Sequence, residues 1–200
     1  MTTRSLLIDT SSKLGLCAIV EQNNVLFERY VEADSSHSEH LFLGIKTALL
    51  ETGIEFKDLA SVIYCAGPGS FTGLRIAYSA VKGFELATGL KSYGVSTLFA
   101  LIHNLKNSDS DYKVASIAGS SNTVFALVQD KFGNTVLEEA SYTQEYFNEF
   151  ISGLKGTVST TTALDKVTAL GMLASLEHRA IDGINYLKAS YAEERRSING

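Results

Sequence analysis

The sequence predicts an α/β protein built of two related lobes, of which the second is the smaller. Three observations predict this fold: strand-like and helix-like patterns alternate along the chain, a three-strand unit occurs twice, and the polar segment "NSDSD" at 107–111 separates the two copies. Helical patterns follow each copy, which gives both halves a βββαβα order. We therefore expect two lobes, 1–106 and 107–200, that face each other across a cleft.

The first half reads as five strands and three helices. Apolar runs bounded by turn residues predict strands at 6–8, 14–20, 25–31, 61–66 and 92–95. Helical spacing of apolar residues predicts helices at 36–52, 71–88 and 96–105. Gly53 and Gly89 stand just past the first two helices, where a glycine commonly ends a helix.

The second half repeats this plan in a shorter form. The segment "ASIAGSSNTVFALVQDKFGNTVLEE" from Ala115 has the shape of "SLLIDTSSKLGLCAIVEQNNVLFER" from Ser5. In both, a strand, a serine-rich turn, a second strand, a polar turn and a third strand follow one another. Helical patterns come next, at 144–153 and 163–176. The shared order of elements indicates a distant internal duplication.

Composition and charge argue against several classes of protein. The 200 residues are 45% apolar and 20% charged with a net charge of −5, so the chain offers no overall basic footprint for nucleic acid. Asp9 interrupts the apolar run at 6–8, which argues against a signal peptide, and no apolar run is long enough to span a bilayer. Cys17 and Cys65 lie in strand-like runs without CxxC spacing, which predicts reduced, buried thiols in a cytoplasmic protein.

The stretch "AGPGSFTGLR" at 66–75 contains the one proline of the chain. Its spacing fits neither a P-loop, nor the GxGxxG dinucleotide pattern, nor the GxSxG nucleophile turn. Turn and cap chemistry fits instead, because Ser70 can cap a following helix and the glycines on both sides of the proline can take positive φ. Binding of an anion at this helix N-terminus is an open alternative. The expected turn and cap residues are Gly67, Pro68, Gly69, Ser70, Thr72 and Gly73.

The helix at 71–88 carries two apolar stripes, whereas a surface helix usually carries one. The first stripe consists of Leu74, Tyr78, Val81 and Phe84, and the second of Ile76, Ala80, Gly83 and Ala87. The first suits the core of its own lobe, and the small residues of the second suit the close approach of another helix. From spacing alone, that second helix belongs either to another protein or to a larger core of this chain.

The same region carries a resemblance to a known family. The segment "CAGPGSFTGLRIAYSAVKGFELATG" at 65–89 resembles the signature of the bacterial TsaB (YeaZ) family, and "LLIDTSS", "HSEHL" and "GVSTL" match its other landmarks in order. The likeness is specific through residue 105 and diffuse afterwards, where element order and "YLK" at 186–188 remain. It implies an α/β fold of two duplicated actin-like (ASKHA, RNase H-like) lobes, with mixed sheets flanked by helices and a reduced second lobe.

The resemblance also implies a function. Members of this family are non-catalytic partners of a homologous catalytic subunit, TsaD, in the pathway that forms threonylcarbamoyladenosine next to the anticodon of tRNA, and an ATPase subunit, TsaE, docks on that pair. The chain is thus expected to be a cytoplasmic, non-catalytic subunit that homodimerises when alone and meets tRNA indirectly. The implied partner-binding residues are Leu41, Phe42, Ile45, Leu49, Arg75, Ile76, Tyr78, Ser79, Ala80, Gly83 and Ala87.

One departure from the family bears on nucleotide binding. The family usually has Asp-Ala-Arg after the first strand of the second lobe, where this chain has Ala118-Gly119-Ser120. Asp9, Thr10 and Ser11 match the first-lobe loop that wraps phosphates in actin-like folds, and one carboxylate alone holds Mg²⁺ poorly. We interpret this loop as a vestigial phosphate loop, with no cofactor in the isolated chain and ATP or ADP bound only weakly or at the complex interface.

The sequence also offers an alternative function and a candidate metal site. An autonomous small-molecule kinase or nucleotide hydrolase of the same fold is the alternative function, and it would need an acidic phosphate-loop residue in both lobes. His37 and His40 flank Glu39, but Ser36 or Ser38 as a helix cap explains the cluster without a metal. The charged segment "YAEERR" at 191–196 is expected to be a solvated helix end, or else to cover the cleft or touch tRNA.

Overall fold

A five-stranded mixed sheet forms the centre of the first lobe. The computed structural model of the chain describes residues 3–32, 37–162 and 165–187. An antiparallel meander is followed by two parallel strands on its other side, in the order β3-β2-β1-β4-β5. The strands are β1 (Arg4–Asp9), β2 (Leu14–Glu21), β3 (Asn24–Glu32), β4 (Ser61–Gly67) and β5 (Lys91–Ser96).

A second sheet repeats this arrangement with one strand fewer. The repeated unit forms the meander β6 (Tyr112–Ala118), β7 (Thr123–Asp130) and β8 (Thr135–Thr143), and β9 (Val158–Thr162) pairs in parallel with β6. The strand order is β8-β7-β6-β9, which matches β3-β2-β1-β4 of the first sheet. The predicted α/β fold with two duplicated mixed sheets and a reduced second half is confirmed.

Five α-helices in the described part of the chain cover the two sheets: α1 (His37–Thr52), α2 (Phe71–Thr88), α3 (Thr97–Ile102), α4 (Gln144–Gly153) and α5 (Ala169–His178). The first two pack on one face of the first sheet, α3 and α5 lie between the sheets, and α4 packs on the far face of the second sheet. None of these helices is both long and apolar enough to cross a membrane.

The last helix differs from its predicted position. The sequence predicted a helix at 163–176, of which 163 and 164 lie outside the described residues, whereas α5 begins at Ala169. Asp165 accepts hydrogen bonds from the Thr162 amide at 2.7 Å and the Thr161 hydroxyl at 3.1 Å, which makes a turn after β9. The Thr168 hydroxyl then caps the helix by accepting from the Gly171 amide at 3.0 Å. The spacing of apolar residues does not show this turn and this cap, so it placed the start of the helix too early.

One apolar core connects the two sheets. Alternation along β1 directs Leu6 and Ile8 toward α1 and α2, and Leu7 toward the layer between the sheets. In that layer Leu7 belongs to the same cluster of buried side chains as Leu98 of α3, Met172 of α5 and Leu127 of β7. The two sheets therefore share one core, and the boundary at residue 106 stays a prediction.

The segment after α5 returns to the first sheet. Gly94 of β5 exchanges two backbone hydrogen bonds with Ile181, at 3.1 and 2.8 Å. The Tyr64 hydroxyl donates to the Gly183 carbonyl at 3.0 Å, and the Asn185 amide donates to the Ala66 carbonyl at 2.8 Å. This segment, which the sequence division assigns to the second lobe, thus covers the ends of β4 and β5.

Candidate functional site

A groove of about 740 Å³ lies between α1 and α2 on the face of the first lobe that points away from the second sheet. Each helix turns one side toward the sheet and leaves further apolar side chains outside, as the two stripes of α2 predicted. On α1, Phe42 is 51% exposed and Leu50 is 71% exposed; on α2, Phe71 is 53% exposed and Leu86 is 90% exposed. Exposed apolar side chains concentrated on one face are typical of an interaction surface.

The structure divides the predicted partner-binding residues into groups. Six of them line the groove: Phe42, Arg75, Ile76, Ser79, Ala80 and Gly83. Leu41 and Ile45 are buried in the core of the first lobe, so they hold α1 on the sheet and do not form the groove surface. Leu49 and Tyr78 are half-buried against that core, and Ala87 is exposed beyond the groove lining.

Sequence reasoning missed the aromatic ends of the groove. Phe71, taken as the first residue of a helix, lies under the Arg75 guanidinium with 3.8 Å between that group and the ring centroid. Phe84, assigned to the buried stripe, lines the groove and meets the Phe42 ring edge-on at 6.3 Å. The i, i+4 spacing of Phe71 and Arg75 is a signal in the sequence for the first of these contacts.

A notch in the groove lies at Gly83. A Cβ atom built on this residue would have no neighbour within 4 Å, and Ala80 beside it is 9% exposed. The small residues therefore keep the surface of α2 low where another helix could approach. Helix axes that cross at small residues lie near the short end of the usual distance of about 8–10 Å.

The Gly-rich stretch forms the turn that starts α2. The Ser70 hydroxyl caps the helix by accepting from the Gly73 amide at 3.2 Å, as predicted. Gly67 has a φ of 116° and a cis peptide bond to Pro68. Positive φ was also expected at Gly69, and this prediction is wrong, since Gly69 is not among the residues with positive φ. Glycine is required at this position for a steric reason, because a Cβ atom on residue 69 would lie 2.5 Å from the Ser11 carbonyl oxygen.

This turn packs directly on the loop at 9–11. The Ser70 amide donates to the Ser11 carbonyl at 2.6 Å, and the Thr10 hydroxyl donates to the Gly73 carbonyl at 2.7 Å. An added Cβ on Gly73 would lie only 1.8 Å from the Thr10 carbonyl oxygen. The loop that resembles a phosphate loop is thus covered by the turn of its own lobe, and its hydrogen-bonding groups are partly used by that contact.

Asp9 lies buried at the centre of this contact. Its Oδ1 accepts from the Ser11 amide at 2.7 Å, while its Oδ2 is buried without a hydrogen-bond partner. Burial raises the pKa of the Asp9 carboxyl, and the hydrogen bond from Ser11 opposes this effect more weakly. The cavity beside Asp9 and Thr10 is about 20 Å³, which is the scale of one water molecule and far below that of a nucleotide.

The matching turn of the second lobe, at 118–122, contains no charged residue. Its contacts are local: the Gly119 amide donates to the Thr123 carbonyl at 2.9 Å, and the Thr123 hydroxyl donates to the Ser120 carbonyl at 2.6 Å. Ser121 and Asn122 both have positive φ, at 53° and 61°. The position corresponding to Asp9 therefore offers no carboxylate to a metal ion or a nucleotide.

No group of three or more histidine, cysteine or acidic residues placed to hold a metal ion occurs among residues 3–32, 37–162 and 165–187. Glu39 lies in the first turn of α1, the position expected for an acidic residue near a helix N-terminus. His40 lies near Asp9 and has a buried Nδ1 without a hydrogen-bond partner. The segment 191–196 lies outside the described residues.

The family model described as "TsaD: tRNA N6-adenosine threonylcarbamoyltransferase" matches residues 31–181. An uncharacterised protein of Mycobacterium tuberculosis (strain H37Rv) is 34% identical over 98 residues, covering 48% of this chain and 46% of the relative. The tRNA threonylcarbamoyladenosine biosynthesis protein TsaB of Buchnera aphidicola is 30% identical over 95 residues, covering 47% and 43%. The chain thus matches less than half the length of these curated relatives.

A solved structure supports the fold over almost the whole chain. YeaZ from Pseudomonas aeruginosa superimposes with a TM-score of 0.73 at 17% identity, covering 92% of this chain and 100% of that structure. The duplicated sheets, the Gly-rich turn before α2 and the family match then agree with one another. The chain belongs to the TsaD family, is similar over about half of its length to TsaB of Buchnera aphidicola, and has the fold of YeaZ.

Proposed function

We propose that this chain is a non-catalytic subunit in the formation of threonylcarbamoyladenosine in tRNA, and that it binds a TsaD-like catalytic subunit through the groove between α1 and α2. The groove is the observation that carries the proposal. The Buchnera TsaB relative is named for this pathway. We propose further that a TsaE-like ATPase docks on the pair, that tRNA is met indirectly, and that the complex is cytoplasmic.

The composition of the groove supports a helical partner. Phe42, Phe71 and Phe84 supply apolar and aromatic surface, and Ser79 and Arg75 supply polar groups that can pair with the partner. An apolar centre with such a polar rim is common in specific protein interfaces. The low surface at Gly83 suits a helix, and a homologous partner would bring two equivalent helices, so that four helices pack together.

The phosphate-loop region supports a role without catalysis. Asp9 is 1% exposed, and the Gly-rich turn covers the loop that holds it. Mg²⁺ in nucleotide sites is usually bound by one or two carboxylates together with phosphates, and the turn at 118–122 adds no carboxylate. The chemistry would then reside in the partner, and any ATP or ADP would be bound weakly or at the interface of the two subunits.

The experiment is a pull-down of a TsaD-like protein from the same organism by the full chain and by Gly83→Leu. We expect Gly83→Leu to weaken association by at least about tenfold, because the added side chain holds the partner helix away. It should also abolish any homodimer that uses this face, measured by light scattering. With tRNA as substrate, the wild-type chain alone should give no modified adenosine, and adding the chain to the TsaD-like protein and its other components should.

Gly153→Leu is the matched control. Gly153 is a helical glycine on α4 of the second lobe, and a Cβ there also has no neighbour within 4 Å. It should bind the partner as the wild type does, and circular dichroism should show both variants folded. A folded Gly83→Leu variant that binds the partner at wild-type strength would remove the interface from this groove.

A further inference from the structure

A pocket of about 230 Å³ lies where the C-terminal ends of α3 and α5 meet the second sheet. It shares no lining residue with the α1/α2 groove. It is at the end of that sheet formed by the start of β6 and the end of β7, opposite the turn at 118–122. Its lining includes Phe99, His103, Lys106, Lys113, Gln129 and His178. No part of the proposed function uses these residues.

Strand alternation explains why polar side chains reach this pocket. Lys113 pairs with Gln129 in the register of β6 and β7, next to the Ala115–Leu127 pair. Side chains two residues apart on a strand share a face, so Lys113 and Gln129 lie on the face that packs against α3 and α5. The apolar core ends at Ala115 and Leu127, and the same face continues with a cation and an amide.

The pocket carries positive charge that no acidic lining residue balances. The Lys113 ammonium donates to the Lys106 backbone carbonyl at 3.3 Å, and within the described part of the chain neither lysine forms an ion pair. The Nε2 atom of His103 is buried without a hydrogen-bond partner. Burial and then the Lys106 charge lower the pKa of His103, and Glu177 opposes them more weakly. The chain as a whole has a net charge of −5, so this local excess of cations stands out.

We infer that this pocket binds a small phosphate-bearing anion. Two lysines and two imidazoles around one pocket offer hydrogen-bond donors from several directions, which suits a tetrahedral dianion, and lysine is a common phosphate ligand. The Gln129 amide adds a neutral donor. A pocket of about 230 Å³ is smaller than the roughly 300–1,000 Å³ of sites for drug-sized ligands, so it fits one phosphate group with a small organic part.

The stacked histidine gives the site a fixed wall. The His178 ring lies on the Phe99 ring with 3.8 Å between centroids and 22° between planes. Because Phe99 belongs to α3, whose other side chains are part of the shared core, this contact restricts the orientation of the imidazole. His178 is exposed on its other side, so a ligand can enter from solvent.

The test is a titration of the full chain with inorganic phosphate, followed by backbone amide shifts in NMR spectra. We expect saturable shifts confined to the segments around 103–113, 129 and 178. Lys113→Met should weaken binding about tenfold, the loss expected for one charge-assisted hydrogen bond. Lys131→Met is the control and should bind normally, because that ammonium lies 3.3 Å from Asp111 Oδ1 and does not line the pocket.

Lys106→Met provides a second variant at an exposed position, in case Lys113→Met does not fold. A parallel titration with AMP distinguishes the sources of the phosphate group: competition with inorganic phosphate indicates a phosphate monoester, and no competition indicates the free anion. Shifts that fail to saturate, that spread over lysines elsewhere, or that persist unchanged in the folded lysine variants would overturn the site.

Discussion

At the scale of single residues, the glycines of the "AGPGSFTGLR" stretch serve different purposes. Gly67 is needed for its backbone conformation, with a φ of 116°. Gly69 and Gly73 are needed for space, because an added Cβ atom would lie 2.5 Å and 1.8 Å, respectively, from backbone carbonyl oxygens of the loop at 9–11. The glycines of this stretch therefore serve a close contact between two segments as well as a turn.

We predict that Gly73→Ala destabilises the protein more than Gly69→Ala. The new Cβ would lie 1.8 Å from a backbone oxygen in the first case and 2.5 Å in the second, and neither backbone oxygen can move without its loop. The expected loss is about 1–3 kcal/mol for Gly69→Ala and more for Gly73→Ala. Thermal or urea unfolding measures both.

Gly83→Ala is the control for this pair and should have the opposite sign. The residue lies inside α2 with open space above it, so alanine is expected to stabilise the helix by about 1 kcal/mol. Equal stability of Gly73→Ala and wild type would show that the two loops do not meet as closely as the structure has them.

We predict that Asp9→Asn raises stability at neutral pH. Because burial raises the pKa of Asp9 in the folded state above its ordinary value of 3.8, the folded protein binds a proton more tightly than the unfolded chain. Stability contributed by that protonated form is present at low pH and is lost as pH rises from the unfolded pKa through the raised folded pKa. Asparagine does not titrate, so this loss should disappear, with a gain of about 1–3 kcal/mol at neutral pH.

The measurement is urea unfolding of both proteins from acidic to neutral pH. Asp111→Asn is the control of opposite sign, since hydrogen bonds from Thr157 hold the pKa of Asp111 below its ordinary value. That variant should be less stable than the wild type at neutral pH, and the difference should shrink as the pH falls. Parallel pH profiles for wild type and Asp9→Asn would contradict the buried position of this carboxyl.

At the scale of elements, α2 has more than one role. Its N-terminus is fastened to the loop at 9–11, its inner side carries Leu74, Ala77 and Val81 in the lobe core, and its outer side forms the groove wall. A change at the start of the helix can therefore reach the groove through a single rigid element. Removing the Ser70 cap changes a single hydrogen bond at the start of this helix.

We predict that Ser70→Ala lowers the free energy of unfolding by about 1 kcal/mol, since it removes the acceptor for the Gly73 amide. Ser70→Asp restores an acceptor at the same position and should recover most of the loss. Chemical unfolding of the three proteins checks this. An alanine variant as stable as wild type would mean that the cap contributes nothing measurable.

At the scale of the whole molecule, the two sheets are joined by apolar packing and by polar contacts between lobes. Glu28 of β3 accepts from the Ala169 amide at the start of α5 at 2.8 Å. Ser96 at the end of β5 donates to Glu139 of β8, and burial raises the pKa of that carboxyl. The first contact lies at the start of α5, and the second lies at the residue that caps α3.

We predict that Met172→Ala destabilises both lobes together. Met172 is fully buried in the core shared by the two sheets, and a cavity there should cost about 2–5 kcal/mol. Tyrosine fluorescence and far-UV circular dichroism should then report one shifted transition. Two separated transitions, with only one of them shifted, would show that the lobes unfold independently and share little stabilisation.

Local patterns in the sequence were sufficient for most elements and for the family. Apolar runs bounded by turn residues predicted the strands of the first sheet, the repeated unit predicted β6, β7 and β8, and helical spacing predicted α1, α2 and α4. The Ser70 cap and Gly89 marked the ends of α2 correctly, whereas the position of β9 was not predicted. These features depend on contacts within a few residues, which a sequence displays directly. The start of α5 was misplaced because a polar turn and a cap, both built from threonine and aspartate, lie inside an otherwise apolar pattern.

Only the tertiary structure decided which side chains share a surface. Leu41 and Phe42 are neighbours in sequence, yet one is buried and the other lines the groove, because α1 lies on the sheet at one particular rotation. Gly69 meets Ser11, and Lys113 lines one pocket with His178, through contacts between separate segments of the chain. The sequence by itself determined the elements and the family through short-range chemistry. The shape of the groove, the closed loop at Asp9 and the cationic pocket depend on packing between distant segments, which local patterns do not encode.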